Sequence, residues 1–281
     1  MNLTSIKDVR TLLEKHNLRP KKGLGQNFLI DNNVVSNIVL AITSDGDRAL
    51  EIGPGLGVLS SNLKDLKELV CVETDSDMIE ILGETTSDCN NIKIYHENFL
   101  NTDISSIIDV VDNNKWVACG NLPYYITTPI IIKLLENRTY FKSIVMMVQK
   151  EVADRMKAAP NNKDYGSLSL FVQYHAKVEI VCNVSKNCFY PAPKVDSAVV
   201  KLHIYDTPLF DVDEDLYFNI TRAAFGKRRK TLANALSNST FLYWGKEKTQ
   251  DVLNKAGIDP NRRGETLSLA EYATICNVAK K

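Results

Sequence analysis

Leu50-Glu51-Ile52-Gly53-Pro54-Gly55-Leu56-Gly57 carries an apolar run directly into a turn with glycine at every second position. Arg48 to Ile52 is the short, mostly apolar segment of a buried strand, and Val58, Leu59, Leu63 and Leu66 then recur at helical spacing, so the pattern predicts strand, turn and helix. Gly53, Gly55 and Gly57 carry no side chain, which opens unusual backbone angles to the turn and lets a ligand lie against the main chain, while Pro54 stiffens it. Such turns serve NAD, FAD and S-adenosylmethionine alike, and the G-x-G-x-G spacing differs from the G-x-G-x-x-G of pyrophosphate binders. A second apolar strand, Val70-Cys71-Val72, ends in Glu73. Folds of this type set a carboxylate there, about twenty residues after the first glycine, to hold ribose hydroxyls. Both features mark a cofactor seat and leave the cofactor open.

Outward from that seat, the 281 residues suffice for one substantial domain and a small one. No apolar run approaches the roughly 20 residues of a membrane helix. The start, Met1-Asn2-Leu3-Thr4-Ser5, has no apolar signal core, so a cytoplasmic protein without membrane contact is expected. Cysteines 71, 89, 119, 182, 188 and 276 lack C-x-x-C spacing and histidine partners; reduced thiols are expected, and no metal site. Net charge is zero, but residues 1–30 carry +4 and residues 222–231 carry +5. Positive charge concentrated in two places suits either phosphate binding or a solvated basic face.

Ser5 is placed to cap a first helix with Ile6, Val9, Leu12 and Leu13 on one face, and Asp31 a second with Val34, Val35, Ile38, Val39 and Ile42 buried. From residue 48 onward, strands expected at 48–52, 69–73, 92–95, 115–119, 143–148, 176–182 and 196–204 alternate with helical stretches, which implies a mainly parallel sheet covered on both faces. The last two strands are joined by a proline-containing loop, which implies an antiparallel edge. After Tyr205 the texture turns helical, with helices expected near 213–225, 229–238, 246–256 and 268–278. The reading is therefore an α/β domain over 1–205 with a Rossmann-like sheet and a small helical domain over 206–281.

The cofactor type is settled by Asn121-Leu122-Pro123-Tyr124, at the end of a strand, where open sheets place ligands. Asn-x-Pro-aromatic suits methylation of a nucleobase amine. The lone pair of an exocyclic amine is delocalised into the ring; acceptors that grip its two hydrogens hold the nitrogen nearer to tetrahedral and aim it at a methyl group. The Asn121 amide oxygen supplies one acceptor and the Leu122 carbonyl the other, with Pro123 biasing Leu122 to an extended conformation. Tyr124 offers a face on which the base stacks and which stabilises the positive charge growing on nitrogen.

With Leu24-Gly25-Gln26-Asn27-Phe28-Leu29, Gln149-Lys150-Glu151-Val152, Pro193-Lys194-Val195-Asp196-Ser197 and Ala224-Phe225-x-x-Arg228-Arg229-Lys230-Thr231 in the same order, the chain resembles the small-subunit ribosomal RNA adenine dimethyltransferases, the KsgA (RsmA) family, over nearly its whole length. The resemblance implies a class I methyltransferase fold and S-adenosyl-L-methionine as cofactor. Asn27, Leu29, Gly53, Gly55, Glu73, Asn98 and Asn121 would then bind that cofactor, and Phe189 would join Asn121, Leu122, Pro123 and Tyr124 as a second stacking face. The family usually has an acid where this chain has Asn98, which puts cofactor affinity in question. The implied substrate is a pair of adjacent adenosines near the 3′ end of small-subunit rRNA, in an immature ribosomal subunit, with a monomer expected. Lys21, Lys22, Lys227, Arg228, Arg229 and Lys230 would contact RNA phosphates.

Three rivals stand beside this reading. A large-subunit rRNA methyltransferase of the macrolide-resistance type generally reads Asn-Ile-Pro-Tyr, against which Leu122, Thr128-Pro129 and the Arg-Arg-Lys-Thr run argue. An NAD-dependent dehydrogenase gives the Asn121 motif no role. A non-catalytic assembly factor leaves an intact motif unexplained.

Overall fold

The computed structural model describes residues 1–281 apart from Lys22, Leu24, Val111–Asn113, Arg228 and Lys281. Helix α1 (Ile6–Lys15) starts where the Ser5 hydroxyl accepts the Asp8 N–H, and it buries Val9, Leu12 and Leu13. After the short strand β1 (Phe28–Leu29), α2 (Asn32–Thr43) is capped by Asp31, which takes the N–H groups of Asn33 and Val34. Then come β2 (Arg48–Ile52), β3 (Glu68–Glu73), α3 (Ser76–Thr85), β4 (Ile92–His96), α4 (Ile104–Ile107), β5 (Trp116–Asn121), α5 (Thr127–Glu136), β6 (Phe141–Gln149), α6 (Lys150–Lys157), α7 (Ser167–His175), β7 (Ala176–Val184), β8 (Phe189–Tyr190) and β9 (Ser197–Ile204).

Seven strands form one sheet in the order β4-β3-β2-β5-β6-β9-β7. The pairs β4–β3, β3–β2, β2–β5 and β5–β6 are parallel, and β9 runs antiparallel to β6, as the expected edge excursion requires. β2 is followed in the chain by β3 on one side and flanked by β5 on the other, so strand order reverses there; the crevice beyond the strand ends at such a reversal is where open sheets bind ligands. The helix expected after the glycine turn does not form. Residues 53–67 run through successive turns and a single 3-10 turn, Ser60–Asn62. Gly53, Gly55 and Gly57 all have positive φ, which an α-helix does not accept, while Leu59, Leu63 and Leu66 are still buried. No helix among the described residues is long and apolar enough to cross a membrane.

The chain divides into two compact units, Met1–Ala153 with Val178–Ile204, and Asp154–Lys177 with Tyr205–Lys281. Residues 154–177, assigned by sequence to the first domain, thus group with the C-terminal helices α8 (Glu214–Phe225), α9 (Leu232–Ser237), α10 (Gly245–Lys255) and α11 (Leu269–Ala279). The reason is packing: Tyr165, Leu170 and Tyr174 share a core with Tyr217, Ile220 and Tyr272. Two of the tyrosine hydroxyls avoid a desolvation cost by donating to main chain, Tyr165 to the Leu267 carbonyl at 2.9 Å and Tyr272 to that of Gly264 at 2.8 Å.

In the first unit, β5 lies so close to the end of β2 that a Cβ on Gly120 would stand 2.5 Å from the Ile52 carbonyl oxygen. That contact sets the spacing between Ile52-Gly53 and Gly120-Asn121. Gly120→Ala is therefore expected to cost about 1–3 kcal/mol through overpacking against backbone, as a lowered urea midpoint at unchanged m-value.

Candidate active site

The glycine turn, the end of β3, the loop after β4, the end of β5 and the segment before β1 enclose one cleft of about 1160 Å³, its open mouth included. Each wall has a local cause. Gly53 extends β2 by donating to the Val72 carbonyl at 2.9 Å, then turns away with φ +66°, and a Cβ added there would meet nothing within 4 Å. Main chain therefore faces the cleft without a side chain between. Glu73, 6% exposed, bends back over this turn: its carboxylate accepts from Gly55 N at 3.1 Å, Thr74 N at 2.8 Å and Asp75 N at 2.9 Å. Three of roughly four acceptor positions are thus filled, which leaves one for a hydroxyl in the cleft. Burial raises the Glu73 pKa, and the backbone donors oppose that rise.

Asn121, the last residue of β5, donates from Nδ2 to the Asn27 carbonyl at 3.1 Å. That bond fixes the amide and leaves Oδ1 as the acceptor on the opposite side. Pro123 caps the next helix through its carbonyl, which accepts from Ile126 N at 3.1 Å and Thr127 Oγ1 at 3.2 Å. The Tyr124 ring is half-buried, with its hydroxyl pinned to the fully buried Ser197 at 2.8 Å; burial raises its pKa. Asn27, Leu29, Gly53, Gly55, Glu73, Asn98, Asn121, Leu122, Pro123 and Tyr124 all line the cleft, so the structure brings those sequence-selected residues together. Asn98 is exposed there, and its Oδ1 accepts the Leu100 N–H at 3.0 Å.

Two assignments change. Phe189 is not on the cleft wall; it is 4% exposed and packs with Leu29, Val184 and Val199 in the core under β1 and β8. In that two-stranded pair Leu29 faces Phe189 and Phe28 faces Tyr190, and the aromatic that reaches the cleft is Phe28, 3.7 Å from where a Gly55 Cβ would sit. The sequence offered no signal for this, since Asn27, Phe28 and Leu29 all line the cleft. Lys21 is an internal fastener: its ammonium sits 2.7 Å from both Asp75 and Asp77, while Gln26 Nε2 donates to Asp75 at 2.7 Å and Gln26 Oε1 accepts from Lys21 N at 2.8 Å. Its charge is balanced in place, so it is withdrawn from the phosphate contacts. Lys22 and Arg228 lie outside the described residues. In the second unit Lys227, Arg229 and Lys230 are exposed in the turn between α8 and α9.

The described lining holds four carboxylates, Glu51, Glu73, Asp75 and Glu97, and no Lys, Arg or His. Glu51 is 1% exposed, and burial pushes its pKa from an ordinary 4.5 to about 7, against a hydrogen bond from Ser60 Oγ at 2.6 Å. Such a wall disfavours phosphates and favours a cationic ligand.

Comparison with known proteins agrees with this geometry. The profile of the family described as ribosomal RNA adenine dimethylase matches residues 17–281. A ribosomal RNA small subunit methyltransferase A from Alkaliphilus oremlandii is 45% identical over 284 residues, spanning 99% of either chain. Among solved structures, a dimethyladenosine transferase from Plasmodium falciparum is 29% identical with a TM-score of 0.75, covering 88% of this chain and 95% of its own. The 23S rRNA methyltransferase ErmE is 23% identical with a TM-score of 0.67 over 91% of this chain and all of its own, and shares the fold. This chain belongs to the ribosomal RNA adenine dimethylase family.

Proposed function

We propose that the cleft seats S-adenosyl-L-methionine and that the protein transfers methyl groups to the N6 amines of two adjacent adenosines near the 3′ end of small-subunit rRNA. One observation carries the reading: the Asn121 amide, clamped by Asn27, stands in the same cleft as the bare glycine turn and Glu73, with four carboxylates and no Lys, Arg or His among the described lining residues. The cofactor's sulfonium supplies the electrophilic methyl group. Its positive charges suit the acid-lined wall, which a dinucleotide pyrophosphate would not; this argues against a dehydrogenase.

The chain's own contribution is positioning and electrostatics. Asn121 Oδ1 accepts one hydrogen of the target amine and the Leu122 carbonyl the other, so the nitrogen lone pair is aimed along the cleft. Tyr124, held at its tip by Ser197, gives the flipped base a fixed face and stabilises the charge that develops on nitrogen. Phe28 takes the place first given to Phe189 on the cleft wall. The helical unit binds the RNA, with Lys227, Arg229 and Lys230 on phosphates. We assign the protein to the cytoplasm as a monomer acting on an immature subunit.

The assignment is tested by mass spectrometry of rRNA fragments after incubation of undermethylated small subunits with labelled S-adenosylmethionine. Label on two adjacent adenosines is expected; label only on large-subunit RNA would defeat the reading. Asn121→Ala is expected to cut methyl transfer at least about tenfold while subunit binding persists. Replacing Lys227, Arg229 and Lys230 by Ala is expected to lower the salt dependence of RNA binding by a slope of about 3.

Glu51 gives a pH test of the ligand-free protein. Its folded pKa lies above its unfolded value, so the stability it contributes is full below pH 4.5 and is lost as pH rises through about 7. Urea denaturation is expected to show the parent losing roughly 3 kcal/mol across that window, a loss absent from Glu51→Gln.

A further inference from the structure

Lys133 lies off the buried stripe of its helix, which Thr127, Ile130, Ile131, Leu134 and Leu135 form at i, i+3, i+4, i+7 and i+8. Its ammonium is turned inward and donates to three main-chain carbonyls of one loop: Phe99 at 2.7 Å, Leu100 at 3.0 Å and Thr102 at 2.5 Å. It also lies 5.1 Å from the centre of the Phe99 ring. Three donors thus meet three acceptors, the full capacity of an ammonium, and hydrogen bonds from a charged donor are the stronger kind. Burial lowers the pKa of this lysine, with Asp103 and Glu97 opposing.

The loop so gripped is a wall of the cleft, which Glu97, Asn98, Phe99 and Leu100 line from one side. At its start Glu97 N donates to the Glu73 carbonyl at 2.9 Å, and within it Thr102 Oγ1 donates to Glu97 at 2.8 Å. The helix that carries Lys133 lines another wall through Ile126 and Ile130, and follows directly from Asn121 to Tyr124. A chain of bonds therefore runs from Glu73 through the loop to Lys133 and on to the Asn121 motif. No side chain but Lys133 closes it with charge among the hydrogen bonds described for the Phe99, Leu100 and Thr102 carbonyls.

We propose that Lys133 is a positioning residue that holds the Asn98 to Thr102 loop in its ligand-ready shape and thereby sets the affinity for the cofactor without touching it. This rests on the reading of the cleft as the S-adenosylmethionine seat. A loop held in place before binding does not have to be ordered by the ligand, so the effect falls on affinity more than on turnover. The need is sharpened by Asn98, whose amide oxygen already accepts the Leu100 N–H and brings no charge of its own to the wall.

The experiment is calorimetric titration of the full chain with S-adenosylhomocysteine, alongside steady-state methylation of undermethylated subunits. Lys133→Met keeps the stem and removes the donors; it is expected to weaken binding about tenfold, or ~1.4 kcal/mol, and to raise KM for S-adenosylmethionine to match, with kcat within about threefold. Lys133→Arg keeps charge and donors and is expected to recover most of the affinity. Lys201→Met is the control. That lysine is equally occupied, by the Ala41 carbonyl at 2.8 Å, Ser44 Oγ at 3.1 Å and Asp45 at 2.9 Å, but it caps α2 away from the cleft lining. Its loss is expected to lower stability and leave affinity unchanged. If Lys133→Met does not fold, Lys133→Gln, which donates to two carbonyls without charge, is read by the same criterion. A folded Lys133→Met or Lys133→Gln that binds within twofold of the parent, or one that loses kcat at unchanged KM, overturns the proposal. Parent protein that binds no S-adenosylhomocysteine overturns the reading of the cleft itself.

Discussion

The cleft exists because Gly120 has no side chain. The Ile52 carbonyl occupies the space a methyl would need, so the ends of β2 and β5 close on each other at the point where strand order reverses. Gly53, just past the end of β2, and Asn121, the last residue of β5, are thereby both delivered to the lining of one crevice. Every later feature depends on this approach. Glu73 reaches the turn because β3 is the other neighbour of β2, and Asn27 reaches Asn121 because β1 is drawn in beside it. A wider gap would leave the donor and acceptor sites present but out of line, and near-attack geometry tolerates little displacement.

Charge then selects among the ligands such a fold accepts. A phosphate-binding turn offers N–H groups with basic support, whereas here the Gly55 N–H is already given to Glu73. Glu51, forced to share protons by burial, and Glu73, fed by three backbone donors, are two different answers to the same cost of placing a carboxylate out of water. Glu73 spends its acceptor sites on the turn it must shape. Glu51 keeps its partner Ser60 and stays poised near neutrality, so a cation beside it would shift it toward the ionised form.

Much of this was legible in the chain. Runs such as Arg48 to Ile52 and Trp116 to Cys119 gave the strands because segments buried on both faces are mostly apolar. The glycine turn, Glu73 and Asn121 were legible because their chemistry has few substitutes. The helix after Gly57 was misread: Leu59, Leu63 and Leu66 are all buried, yet spacing reports burial and not backbone form. Phe189 was misplaced because two-residue strands such as β1 and β8 carry too little alternation to tell which aromatic faces in. Lys21 shows its charge in the sequence but not its partners, Asp75 and Asp77, more than fifty residues on. Lys133 falls off the buried stripe of its helix and reads in the sequence as an ordinary surface lysine; the loop it grips is brought to it only by the fold.

The two sides of the cleft are fastened unequally. The loop after β4 is held by a partly buried ammonium and the nearly buried Phe99, bonds that water does not easily replace. Among the described residues, the segment before β1 is held by Lys21, whose side chain is 39% exposed, and by bonds from Gln26 and Asn121. Its partner Asp75 is only 3% exposed, but the ammonium itself is open to water on one side and is reached by salt. Opening of the cleft should therefore begin on the Lys21 side, and the order follows from solvent access alone: the side whose fasteners exchange most cheaply with water is the side that yields first.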